Sequence, residues 1–217
     1  GHEAAGVRFV LVEALLARGD LAAAKGLLDG FPPGTRPADH AARLAVARGR
    51  WANQAGEWGL AVSQLRQVAD AGVLPRWRVE AFVALARAEL ARLRLAEARG
   101  WLAKAEELRE RATASGRARL DLVAAAHAAL SGSLDEAFRR VASAADAAAA
   151  LGRPRLQASA GILTAALHAW QEVDPAEAGH LDIRDDQVVG LAFDGLAGER
   201  TVADRGHLVP LLFERLP

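Results

Sequence analysis

Arginine recurs in this chain at repeated offsets before breaks in a helical pattern. Arg50 and Arg87 each stand six residues before a break in a helical pattern, at Gly56 and Leu93. Arg43 and Arg119 each stand thirteen residues before such a break, at Gly56 and Gly132, and Asn53 lies three residues before Gly56. Guanidinium forks bind carboxylates through paired hydrogen bonds. A ladder of Arg43, Arg50, Asn53, Arg87 and Arg119 would therefore suit recognition of an acidic group. The competing reading makes the same residues solvated helix faces, paired with nearby acids such as Glu57 or Glu89.

Other reactive constellations are weaker. The chain has no cysteine, which excludes disulfides, thiolate metal sites and cysteine nucleophiles. His180, Asp182, Asp185 and Asp186 form the densest polar cluster, but their spacing matches no metal-ligand pattern and reads as an acidic loop. His127 and His168 fall within apolar helix faces, as hydrogen-bonded core histidines do. HEAAG at His2–Gly6 lacks the second histidine of a zinc-binding helix. With no nucleophile–base pair and no glycine-rich phosphate loop after a strand, the expectation is a protein that is not an enzyme and holds no metal or cofactor.

The elements that must carry the arginines form a repeat. GDLAAAKGLL at Gly19–Leu28, GEWGLAVSQL at Gly56–Leu65, LRLAEARGWL at Leu93–Leu102 and GSLDEAFRRV at Gly132–Val141 stack into three columns. The first holds Leu21, Trp58, Leu95 and Leu134, the second Ala24, Ala61, Ala98 and Ala137, and the third Leu28, Leu65, Leu102 and Val141. Successive alanines are 37, 37 and 39 residues apart, a period that marks stacked copies of one supersecondary unit. The three columns fall at i, i+3 and i+7, on one face of a helix. A longer helix precedes each copy. Residues 3–18 carry a stripe of Val7, Val10, Leu11, Ala14 and Leu15, expected to face the core. The others run about 38–55, 77–93, 117–130 and 155–173. Asp20 is an expected N-cap, and Ser133 with Glu136 an expected capping box.

The expected fold is all-α: an α-solenoid of antiparallel helix pairs, about four and a half repeats over residues 3–173. Residues 174–217 break the pattern and read as an irregular, atypical cap, with short helices near 184–196 and 207–216, or else as short strands or a stub of the next domain.

This large–small–large second helix behind a glycine turn resembles the tetratricopeptide repeat. Gly19/Leu21/Ala24/Leu28 and Gly56/Trp58/Ala61/Leu65 carry the match, with Gly49 and Ala86 at the small position of the first helix. The chain departs from the family in its longer period and in Ala45 and Ala52, which stand where a tryptophan and a tyrosine are usual. The resemblance implies that the first helices line a concave groove for a partner segment. It also implies that Arg43, Arg50, Asn53, Arg87 and Arg119 point into that groove, alongside Glu13, Glu80, Ala126 and Gly6 at matching offsets. Of the tryptophans, Trp58 and Trp101 then pack between repeats, while Trp51 and Trp77 could face the groove. Long-period repeats of this kind are similar to those of large bacterial transcription regulators and signalling ATPases.

Composition narrows the partner. With 27 basic and 27 acidic residues the chain lacks the cationic surplus of a nucleic-acid binder. No apolar run approaches the roughly 20 residues that span a bilayer, and no signal peptide is visible. The arginine- and alanine-rich usage suggests a GC-rich bacterial genome, and Gly1-His2 reads as a tag remnant ahead of a piece of a larger cytoplasmic protein. The expected role is binding of a protein or peptide partner, an acidic one, by a scaffold or regulatory domain active in signalling or transcription regulation. The alternative is a small-molecule sensor domain of a transcription regulator, with a pocket between helices near His127 and His168.

Overall fold

The computed structural model describes residues 2–31 and 38–172. Among these the chain is all-α, with no strand. The nine described helices are α1 (His2–Arg18), α2 (Leu21–Asp29), α3 (Ala38–Ala55), α4 (Trp58–Ala69), α5 (Pro75–Ala91), α6 (Leu95–Glu107), α7 (Ala114–Leu130), α8 (Leu134–Ala150) and α9 (Pro154–Glu172). A single 3₁₀ turn, Arg109–Arg111, follows α6. Each helix packs on its successor, and α1, α3, α5 and α7 each also touch the next odd-numbered helix. The region expected to cap the chain, residues 174–217, lies outside the described residues.

One turn joins the partners of each helix pair. Gly19, Gly56, Leu93 and Gly132 all adopt left-handed backbone, with φ of 87°, 78°, 57° and 78°. The residue after each donates its N–H five residues back, Asp20 to Leu15, Glu57 to Ala52, Arg94 to Glu89 and Ser133 to Ala128. That bond satisfies a carbonyl left over at the helix end, and the left-handed residue makes it possible. Leu93 pays the steric cost that glycine avoids, since a side chain disfavours this region by roughly 1–2 kcal/mol. Its side chain is half exposed, so little packing offsets that strain. Leu93→Gly should raise stability by up to about 1 kcal/mol once the extra freedom of unfolded glycine is subtracted, and a denaturant midpoint at or below the parent's would contradict this.

The repeat columns sit where their spacing put them. Ala24, Ala61, Ala98 and Ala137 are fully buried, as are Leu28, Leu65, Leu102 and Val141 within a few per cent. The Leu21/Trp58/Leu95/Leu134 column is only half-buried, and its leucines pack at the margin of the same core.

Two local expectations are corrected. On α1 the buried face is Phe9, Val12 and Leu16, while Val7, Val10 and Leu11 are exposed. Phe9 decides the rotation, packing on Phe31 at 4.7 Å between ring centroids. At α8, Ser133 is the N-cap residue but its side chain makes no capping bond. Glu136 turns instead to Arg139 and Arg140, the latter at 2.7 Å, so no capping box forms. Asp20 does cap α2, accepting from the Ala23 N–H at 3.0 Å.

Candidate binding cavity

The odd-numbered helices share one cavity of about 270 Å³. Leu16 and Ala17 reach it from α1, Arg50, Asn53 and Gln54 from α3, Glu80, Val83, Ala84 and Arg87 from α5, and Arg119, Leu122 and Val123 from α7. The last turn and the start of α9 contribute Gly152, Arg153, Pro154, Arg155, Leu156 and Ser159. Four of the five residues expected to form a ladder, Arg50, Asn53, Arg87 and Arg119, are thus brought together. Arg43 is not among the lining residues. Its guanidinium lies over the Phe9 ring at 4.5 Å and near that of Trp77 at 5.9 Å, a stacking that planar, weakly hydrated guanidinium favours.

Two ion pairs cross between helices here. Arg50 donates to Glu13 at 2.6 Å, and Arg119 to both carboxylate oxygens of Glu80 at 3.1–3.2 Å. Burial, the largest effect, would push the Glu13 carboxyl up, but the charges of Arg50, Arg119 and Arg43 and the hydrogen bond from Arg50 together hold it below the usual carboxylate range. Burial opposes the charge of Arg50 as well, yet Glu13 and Glu80 together raise its affinity for its proton. Arg119 is shifted the other way. Arg50 repels it most, burial adds to this, Arg153 contributes, and Glu80 and Glu13 only partly compensate. An arginine does not deprotonate in a protein, so Arg119 keeps its charge beside Arg50. Five arginines and one acid, Glu80, line the cavity, and Glu13 pairs with Arg50 beside it.

Two amide oxygens complete the polar inventory. Asn53 is 1% exposed and its Nδ2 donates to the Ala84 carbonyl at 2.8 Å. A carbonyl can only accept, which fixes the orientation of the Asn53 amide. Its Oδ1 and the neighbouring Gln54 Oε1 are buried without a hydrogen-bond partner among the described residues. A buried acceptor left so costs about 1–3 kcal/mol. One wall of the cavity is apolar, formed by Leu16, Val83, Leu122, Val123 and Leu156.

At the rim, the last helix meets the first. Arg155 of α9 donates to the carbonyls of Leu16, at 2.7 Å, and Ala17, both in the last turn of α1. Those carbonyls have no partner within their own helix, and a cation at a helix C-terminus is favoured by the helix dipole.

The other candidates lie elsewhere. His127 is half-buried, with Nε2 3.2 Å from the Leu95 carbonyl, and desolvation holds its pKa below the ordinary value. His168 is exposed and packs beside Phe138, so neither histidine lines the cavity. Trp51 is buried, donating to the Leu21 carbonyl at 2.9 Å, and Trp101 stacks on Phe82. Trp51 borders a second hollow of about 190 Å³ with Lys25, Arg48 and Glu57. Among the described residues no group of three or more acids or histidines could hold a metal ion, and no helix is long and apolar enough to cross a membrane. The His180–Asp186 cluster lies outside the described residues.

Counting offsets from the turns missed Gln54, Arg153 and Arg155. The signal available for the last two was LGRPR at Leu151–Arg155, two arginines flanking the proline that opens α9. No protein-family model, curated protein or solved structure matches the chain.

Proposed function

We propose that this chain is the recognition domain of a larger bacterial regulatory protein, built as a tetratricopeptide-like solenoid of helix pairs and binding an anion in its concave cavity. The contacts between successive odd-numbered helices support the solenoid reading, because stacked pairs would place their first helices side by side. The reading is one of binding without catalysis, in the cytoplasm, and its charge chemistry rests on guanidinium forks. The observation that carries it is the convergence of Arg50, Arg87 and Arg119 from three helices onto one cavity.

Of the two occupants expected from the sequence, a protein segment and a small molecule, the contact of Arg155 with α1 favours the second. A groove that admits an extended segment needs open ends, whereas Arg155, which lines the cavity, bridges from α9 to the last turn of α1. A volume of about 270 Å³ lies just below the roughly 300–1,000 Å³ of pockets that hold drug-sized molecules.

The test is a thermal melt in sodium phosphate and in sodium phenylacetate against sodium chloride at equal ionic strength, with an acidic peptide as a parallel arm. A ligand at a hundred times its dissociation constant adds about 2.7 kcal/mol of stability, several degrees for a chain of this size. That shift should shrink in Arg87→Gln and Arg153→Gln. Stabilisation by the peptide alone would favour the protein-segment reading, and no shift in any arm would exclude an anion site.

A further inference from the structure

We infer that the cavity takes an amphipathic monocarboxylate of metabolite size, and that Arg153 is the residue that captures its carboxylate. This rests on the anion-binding reading and adds the ligand's class and the guanidinium that receives it. The other arginines of the cavity are engaged. Arg50 is paired with Glu13 and Arg119 with Glu80, Arg155 spans to the carbonyls of Leu16 and Ala17, and Arg87 is not free either. Arg153 differs. It is an exposed residue on the cavity lining, and among the described residues its side chain makes no hydrogen bond or ion pair. Its charge bears on Arg119, another lining residue, so the two guanidinium groups lie near one another.

The main chain holds Arg153 in place. It stands between Gly152, in left-handed backbone at φ 58°, and Pro154, whose ring fixes the first residue of α9. Its N–H donates to the Ala148 carbonyl at 2.9 Å, and its carbonyl accepts from the Gln157 N–H at 3.1 Å. A side chain that springs from so fixed a point searches a limited volume. A guanidinium with its donors free binds a carboxylate through two parallel hydrogen bonds. The walls set the rest of the ligand. Most of the surface that the cavity exposes is apolar, with Val83, Val123, Pro154 and Leu156 among the lining residues. A hydrocarbon or aryl body gains by leaving water there. A second carboxylate, or the oxygens of a phosphate, would instead be stripped of water against carbon. The expected class is therefore a monocarboxylate with an apolar body, a short fatty acid or an arylacetate, and not a phosphate or a dicarboxylate.

Calorimetric titrations of the whole chain test this with phenylacetate against its neutral amide phenylacetamide, octanoate against the dicarboxylate suberate, and inorganic phosphate. A charge-assisted hydrogen bond is worth about a factor of ten or more in affinity. At least one of the two monocarboxylates should bind about tenfold tighter than its matched probe and than phosphate. Arg153→Gln should lower that affinity about tenfold and leave phenylacetamide unchanged, with Arg153→Lys, which keeps the charge without the fork, falling between. Leu156→Gln should weaken the same acid with Arg153 intact, and circular dichroism confirms that each variant folds. Suberate or phosphate bound as tightly as either monocarboxylate, or full affinity in Arg153→Gln, would overturn the inference and leave the anion-binding reading standing. No binding of any of these anions would overturn both.

Discussion

Alanine at Asp121 should cost the fold about 3 kcal/mol, read from the free energy of urea unfolding. Asp121 lies in α7 with its side chain only 4% exposed, and four donors converge on it. Arg109, from the 3₁₀ turn, reaches both its oxygens at 2.7 and 2.9 Å, Arg140 of α8 reaches Oδ1 at 3.0 Å, and Ser143 donates to Oδ2 at 3.2 Å. Removing one partner of a buried pair typically costs about 3–5 kcal/mol because the remaining charge is stranded. The low end applies here. Both arginines keep about a quarter of their side-chain surface in water, and each has a second acid in Glu106. A loss under about 1 kcal/mol would place this network with ordinary surface ion pairs. The same carboxylate sets a pH dependence. Burial would raise its pKa, but the hydrogen bonds from Arg109 and Arg140 prevail and hold it below the usual value. The unfolded state then binds the proton first, so the contribution is complete above the ordinary aspartate pKa of about 3.9 and is lost as pH falls below it toward the lower folded value. Between about pH 4 and 3, Asp121→Ala should lose less stability on acidification than the parent.

Gly49→Ala should destabilise by about 2 kcal/mol although alanine is the better helix former. A Cβ at Gly49 would stand 2.4, 2.6 and 2.9 Å from the three terminal side-chain carbons of Leu65. Leu65 is fully buried and has no open space to move into. Overpacking of this kind costs typically 1–3 kcal/mol, and so close an approach belongs at the top of that range. About 1 kcal/mol returns from helix propensity. The pair should be strongly coupled. Leu65→Ala alone opens a cavity costing about 2–5 kcal/mol, but in its presence the new methyl group at position 49 has room. The double variant should therefore be more stable than the sum of the single losses predicts, by at least about 1 kcal/mol. Strict additivity would mean that α3 shifts to admit the methyl group without reference to Leu65.

The residues that announced the fold were those whose role depends only on local geometry. The left-handed glycines and the fully buried alanines recur at a fixed distance because each answers the same steric demand in every copy, and a period is visible without coordinates. Which face of α1 is buried was not legible in the same way. Phe9, Val12 and Leu16 and the stripe of Val7, Val10 and Leu11 both follow helical spacing, and only the partner, Phe31, decides between them. The cavity divides along the same line. Counting back from the turns found Arg50, Asn53, Arg87 and Arg119, since a fixed offset selects a fixed helix face. It placed Arg43 by the same rule as Arg119, but α1 offers Arg43 an aromatic ring and the guanidinium settles there. Asp121 gave almost no signal. It sits as a single acid in an apolar stretch, and the arginines that neutralise it are 12 and 19 residues away.

The hydrogen bonds from Arg155 to the end of α1 span 139 residues of chain, and this bears on how the molecule comes apart. In an open row of stacked units, each end can fray on its own, because a terminal unit has one neighbour and gives up one interface. Here the first and last described helices are linked through Arg155. Losing α1 takes the two carbonyl acceptors from Arg155, and losing α9 takes the cation from the end of α1, so their opening is coupled through that contact. The entropy of bringing such distant segments together grows only with the logarithm of the loop length. The contact is therefore thermodynamically modest to form, but it comes late in folding, after the intervening helices have stacked. Joining the ends in this way turns a row of local units into one cooperative object.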